Sequence, residues 1–296
     1  MRKFYFVSLL IILSQLSVAQ QSGIPIDSIA QMPVDSSEST KRWDIAVDLT
    51  SRYIWRGQSW GGNYQVAQPS FNYAVSNKLS VGIWATTNFQ QDYYENDGVT
   101  QKGYHEFDLG LTYKLNNFLT LQIWDYYWPA LQRMDGVDTD YFNYGPNGVK
   151  TIDASAVFDF SDGYQFAFDG IISTIIGGND YRYIADGTDY SRNYTTYVEL
   201  GYQFPDIFAL FPAKCLQNID AHPAIGAVLN NEAEYYTYGN YDRPSFVNLA
   251  LNLTREFQIG ESITLPITIT YTHNAATANT EIYGKNFLIA GISFWY

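Results

Sequence analysis

SITLPITITYTH, residues 262–273, alternates along nearly its whole length. Ile263, Leu265, Ile267, Ile269 and Tyr271 fall on one side of an extended chain and Thr264, Thr268, Thr270 and Thr272 on the other, whereas a helix would scatter both sets around its cylinder. A strand with one greasy face and one hydroxyl-bearing face has to put the greasy face against something dry. YHEFDLGLTYK, residues 104–114, repeats the theme, with Phe107, Leu109, Leu111 and Tyr113 set against Glu106, Asp108, Gly110 and Thr112.

Working outward from these two, the chain divides into twelve such segments: 43–56, 63–75, 79–88, 104–114, 118–128, 149–160, 164–176, 193–204, 220–230, 244–256, 262–273 and 285–296. Each has the length a tilted strand needs to cross a bilayer. The connections at 76–78, 115–117, 161–163 and 257–261 are tight, and 205–219 is the one long member of that set. Those at 89–103, 129–148, 177–192, 231–243 and 274–284 are long and rich in Tyr, Asp, Asn and Gly. Short turns on one side and long loops on the other predict an all-β fold, a transmembrane antiparallel up-and-down β-barrel of twelve strands, with the short side in the periplasm. An even strand number puts both ends of the barrel on that side. A secreted β-sandwich is the rival architecture, but it uses shorter strands and gives no reason for the asymmetry of the loops.

Composition agrees. The chain carries 26 Tyr, 18 Phe and 7 Trp with only 16% charged residues, an aromatic load that a membrane girdle uses and an aqueous domain seldom needs. Residues 1–19, with Arg2 and Lys3 ahead of an apolar run to Leu13 and Ser17, Val18, Ala19 at its end, read as a secretory signal peptide. Residues 20–42 are polar and aperiodic, a flexible periplasmic leader, and 43–296 form the barrel. Loss of Arg2 and Lys3 would deepen the net charge from −13 to −15, which argues against nucleic acid as a partner. Cys215 is the single cysteine, so no internal disulfide is available. The last segment ends GISFWY, with Leu288, Ala290, Ile292, Phe294 and Tyr296 on one face. Tyr296 is expected in the periplasmic girdle, as a handle for the barrel-assembly machinery.

TSRYIWRGQSWGG, residues 50–62, continues the first segment. Read at period two, Tyr53 and Trp55 extend the apolar set Ile45, Val47 and Leu49 and are expected to face lipid at the outer interface. Arg52 and Arg56 continue the set Asp44 and Asp48 and are expected in the lumen near the extracellular mouth. The stretch SRYIWRGQSW, followed by NYQVAQPSFNYAV, resembles the start of the TorF-like family of outer-membrane porins, whose first strand ends in an aromatic–Arg–Gly step before a hairpin. The resemblance spans about residues 44–88 and implies location and fold more than substrate.

Alternation assigns Asp44, Asp48, Glu106, Asp108, Asp153, Asp159, Asp169 and Glu199 to the lumen, against Arg52, Arg56 and Lys114. Such charges can neutralise one another across strands or set up a field that selects solutes; acids outnumber bases, which argues against an anion-selective passage. Trp84, Trp124, Tyr126 and Trp128 share the inward face, joined by Trp295, and either fill the lumen or offer stacking platforms for solute rings. GQSWG at 57–61 matches G-x-S-x-G literally but lies in a hairpin and not in a strand–turn–helix, so it is not read as a nucleophile elbow. Of the histidines, His105 and His273 fall on the outward face; no catalytic residue, metal or cofactor is assigned. The loop acids DYYEND (92–97) and DGVDTD (135–140) lack EF-hand spacing and suit solvent or divalent bridging to lipopolysaccharide. The expected function is a porin-like outer-membrane channel, non-enzymatic, for passive diffusion of small polar solutes, neutral or cationic. A plugged structural or adhesive surface barrel and an outer-membrane lipid hydrolase are the alternatives.

Overall fold

The computed structural model describes residues 42–90, 103–129, 137–161, 166–183, 190–231, 236, 244–259, 263–276 and 284–295. The segments expected to be a signal peptide and leader, all but Arg42, together with the 92–97 acidic loop and Tyr296, lie outside them. Twelve strands form the wall: β1 (Trp43–Thr50), β4 (Val66–Ala74), β5 (Leu79–Thr87), β6 (His105–Lys114), β7 (Leu119–Tyr127), β8 (Lys150–Asp159), β9 (Phe168–Gly178), β12 (Thr196–Tyr202), β13 (Asp220–Val228), β14 (Ser245–Ile259), β15 (Ile263–His273) and β16 (Asn286–Trp295). Each pairs antiparallel with its neighbours in that order, and β16 returns to β1 through Ala46 opposite Trp295 and Leu49 opposite Ile292, closing the barrel. Closure leaves no sheet edge to be satisfied in hydrocarbon.

Two small hairpins lie outside the wall, β2 (Tyr53–Trp55) with β3 (Gln58–Trp60), and β10 (Tyr181–Tyr183) with β11 (Tyr190–Arg192). The first corrects the sequence expectation for 43–56. β1 ends at Thr50, and the next residues leave the wall. β14 also runs longer than expected, with Phe257, Gln258 and Ile259 paired to Leu265, Thr264 and Ile263, so the tight turn there is shorter than 257–261.

Outward positions are apolar all around: Ile45, Leu49, Phe71, Val81, Ile83, Leu109, Leu111, Leu121, Ile123, Ile172, Ile269 and Leu288 are all exposed to the barrel's surroundings. A continuous apolar surface of this extent is unstable in water and fits a bilayer. Towards the short-turn end it gives way to aromatics, among them Phe168 against Tyr202 (4.8 Å between centroids), Tyr202 against Phe204 (4.6 Å) and Phe118 stacked on Phe160 (5.2 Å). These are the girdle that amphipathic rings form at a membrane interface. On the opposite side, the 137–148 connection folds down over the outer wall. There Lys150 is fully buried, its Nζ 2.6 Å from Asp125 Oδ2 and 3.3 Å from the Tyr141 ring centre, and Tyr144 donates to the same carboxylate at 3.0 Å.

Candidate functional site

The lumen is crossed by the β2–β3 hairpin. Tyr53 faces Trp60, Ile54 faces Ser59 and Trp55 faces Gln58, which leaves Arg56 and Gly57 as a two-residue turn with φ of 47° and 80°. Positive φ at both central residues is what a type I′ hairpin turn requires, and its twist matches that of the strands. Glycine takes this conformation freely, whereas Arg56 does so at a cost of about 1 kcal/mol. Gly57 is required for a second reason: a Cβ there would collide with the Val247 carbonyl of β14.

Arg56 carries the tip. Its Nη1 lies 3.0 Å from Asp153 Oδ2 on β8, 2.8 Å from Ser173 Oγ on β9 and 2.5 Å from the Tyr236 hydroxyl in the β13–β14 connection. Asp153 is completed by Ser155, which donates to Oδ1 at 2.6 Å, and by Ser173. It sits at a register shift between Ile152 and Asp153, a bulge of the kind that re-aims a side chain. The guanidinium also lies over Trp55 (4.5 Å) and Tyr197 (4.8 Å), while Tyr236 is stacked between those two rings at 5.4 and 5.5 Å. On the far side Asn274, just past β15, donates to the Gly57 carbonyl at 2.9 Å. The tip is therefore fastened to β8, β9 and the end of β15 at once, with Gly57 packed against β14.

The body of the hairpin fills the space between walls. Tyr53 packs between Trp84 (5.5 Å) and Tyr104 (5.9 Å), Trp55 meets Tyr126 edge-on at 5.8 Å, and Ile54 clusters with the inward Phe287 and Ile289 of β16. Tyr53 and Trp55 are each 6% exposed, so the expectation that they face lipid is overturned. The cause is local. Alternation predicts faces only while the chain stays in the wall, and here it leaves the wall after Thr50. Burial among carboxylates pushes the Tyr53 hydroxyl well above its usual range, desolvation first and the Glu106 charge next.

The remaining site residues are placed as follows. Arg52 is half-exposed, bonded to Asn63 and over the inward Phe287 ring at 5.2 Å. Glu106 and Asp108 are buried on the inward face of β6, and Tyr104 donates to Glu106 at 2.7 Å. Asp169 accepts from His222 Nε2 at 2.8 Å, and Glu199 is bonded by Tyr197 and by Asn248 at 2.7 Å. Trp84, Trp124, Tyr126 and Trp128 are buried on the inner wall. Trp124 lies across two glycines that share its register line, Gly110 on β6 and Gly82 on β5; a Cβ on Gly110 would come within 2.5 Å of the indole. Tyr197, His222 and Asn248 were legible as inward positions but not singled out; Tyr236 and Asn274, in connections without periodicity, gave no signal.

Ser59, His105 and His273 do not come together. Ser59 is in the hairpin and bonds the Gly62 carbonyl at 3.4 Å, whereas His273 stands on the outer face 2.9 Å from Asn286 and His105 on the same face 3.0 Å from Thr87. Among the described residues no group of three or more His, Cys, Asp or Glu is arranged for a metal ion.

No family model and no curated protein matches the chain, so the TorF-like resemblance rests on the residues quoted for it. Similar solved structures include LpxR from Salmonella typhimurium (8% identity, 86% of this chain and 99% of that one, TM-score 0.44). An outer-membrane channel from Pseudomonas putida F1 shares 12% identity over 90% of this chain and 98% of the other, with a TM-score of 0.41. OprD of Pseudomonas aeruginosa shares 12% identity over 86% of this chain and 67% of its own length, TM-score 0.33. At these values the likeness says nothing about activity.

Proposed function

We propose that this chain is a porin-like channel of the bacterial outer membrane, a twelve-stranded barrel whose passage is narrowed by its own β2–β3 hairpin and which admits small polar solutes, neutral or cationic. The observation that carries this reading is the hairpin itself: a turn fastened at its tip by a buried ion pair, inside a lumen lined by acids, amides and indoles. A wall that served only as an anchor would need an apolar filling and no charges, since burying a charge is costly unless something is gained by it. Acids outnumber bases on the inner wall, and the Arg56 charge is held by Asp153, so the field that a passing solute meets is negative. In this reading the outer band contacts lipid, the long-loop end contacts lipopolysaccharide, and the C-terminal strand engages the assembly machinery. The plugged-barrel reading draws on the same hairpin, since its side chains are nearly inaccessible.

Purified protein reconstituted in planar bilayers separates the two. A channel gives discrete steps with a reversal potential that favours cations in a salt gradient. A plugged barrel gives none, and steps that favour anions would contradict the proposed field.

A further inference from the structure

Arg56 and Lys150 are committed elsewhere, and two buried acids are left without a bonded cation among the described residues. Glu106 and Asp108 stand two residues apart on the inward face of β6, 8% and 0% exposed. Glu106 receives the Tyr104 hydroxyl at 2.7 Å and a hydrogen bond from the Tyr53 side chain, and Asp108 Oδ1 receives the Tyr127 amide at 3.2 Å. Among the described residues Asp108 Oδ2 has no hydrogen-bond partner. Arg56 is 3.0 Å from Asp153 and Lys150 is 2.6 Å from Asp125, so neither lysine nor arginine among the described residues bonds to either acid. An unpaired carboxylate in such a place is costly, and the cost is removed by a proton or by a cation from outside.

The surroundings fit one kind of cation. Trp84 is directly opposite Asp108 and Thr86 directly opposite Glu106 on β5, all on the inner face. Among the described residues the buried Trp84 Nε1 and Thr86 Oγ1 have no hydrogen-bond partner, and Trp124 Nε1, on β7 opposite Gly110, has none either. The aromatic faces of Tyr53, Trp84 and Tyr104 meet in the same place. Carboxylates beside aromatic rings hold organic ammonium groups through charge and cation–π attraction, and the indole N–H groups, which can only donate, call for an acceptor oxygen on the same molecule. A divalent metal would need more oxygen ligands than these two acids supply.

We infer that the cluster of Glu106, Asp108, Thr86, Trp84, Tyr104 and Tyr53 is a binding site for a small organic ammonium solute that also carries hydroxyl or carbonyl oxygens. The inference rests on the channel reading and names the solute class for it. Tyr53 packs against Trp84 and Tyr104 and bonds Glu106, so entry requires the β2 end of the hairpin to shift; the tip, fastened by Arg56, need not move.

Choline serves as the probe, with glucose and sodium ion as the neutral and bare-cation controls. Binding is read in detergent by tryptophan fluorescence, which needs no conductance, and in parallel as choline block of single-channel current. The site predicts saturable choline quenching, weakened about tenfold or more in Glu106→Gln/Asp108→Asn, a pair of isosteric changes that leaves the fold intact by circular dichroism. Trp84→Phe, which keeps a ring and removes the N–H, should weaken choline more than tetramethylammonium, which has no oxygen. Choline quenching that is unchanged in the double variant, or matched by glucose, overturns the inference and identifies the two acids as protonated wall residues. Quenching without any channel activity leaves the site standing and removes the channel reading; channel activity without choline binding does the reverse.

Discussion

Arg56→Met keeps the length of the side chain and removes its charge. The pair it forms with Asp153 is buried on both sides, with side chains 2% and 0% exposed, and deleting one partner of such a pair costs about 3–5 kcal/mol because the other charge is left uncompensated. Against this stands the apolar burial that also holds the hairpin: Tyr53, Ile54 and Trp55, at about 1.5–3 kcal/mol each, give roughly 5–9 kcal/mol. Burial wins, so the hairpin stays docked in most molecules. The undocked fraction should nevertheless rise by about a hundredfold to several thousandfold, since about 1.4 kcal/mol corresponds to a factor of ten. Chymotrypsin cleavage at Tyr53, Trp55 and Trp60 in native detergent solution reads that fraction directly when opening is fast compared with cleavage. Single-channel records should show the same change as more frequent large openings. Arg56→Met/Asp153→Asn removes both charges and should recover at least half of the loss. Cleavage within twofold of wild type in the single variant, or a double variant no better than the single, would refute the idea that this ion pair latches the hairpin.

Tyr53→Ala and Trp55→Ala, which touch Trp84, Tyr104 and Tyr126 inside the barrel, should raise conductance and change ion preference while leaving insertion into membranes normal; lost insertion with unchanged conductance would return both rings to the lipid face. Gly110→Ala forces Trp124 off the wall and should lower the melting temperature, and Gly110→Ala/Trp124→Ala should lower it less than the sum of the two single changes. Lys150→Met leaves Asp125 with Tyr141 and Tyr144 as its side-chain partners among the described residues beneath the 137–148 connection, at a cost of about 1–3 kcal/mol in a detergent melt. The Tyr144 phenol, pushed up to about 12 by burial and then by Asp125, should titrate closer to 10 by ultraviolet absorbance once the Asp125 charge is removed in Asp125→Asn.

Alternation made the wall legible because each barrel strand must keep one face for lipid and one for the lumen over its full length. Glu106, Asp108, Asp153, Trp84 and Trp124 could be placed by counting. The same rule failed at Tyr53 and Trp55 because it continues to assign faces after the chain has left the sheet. YIW–RG–QSW does carry a hairpin signal, with three residues either side of a pair ending in glycine, but Arg at the first turn position replaces the Asn or Asp that usually marks a type I′ turn. Its preference for the left-handed region comes from Asp153, Ser173 and Tyr236, which are 97, 117 and 180 residues away in sequence. No local window contains that information. Tyr236 was hidden for a related reason, since it lies in a connection where no period tells which side chains turn inward.

Replacing residues 53–60 with a short Gly-Ser link tests the central claim most directly, because it removes the hairpin and leaves all twelve wall strands. Single-channel conductance in planar bilayers should rise severalfold over wild type, with weaker discrimination between small and large cations, and the barrel should still migrate as a folded species. A conductance equal to that of wild type would place the hairpin outside the solute path, and silence from both proteins would mean that the barrel is not a channel.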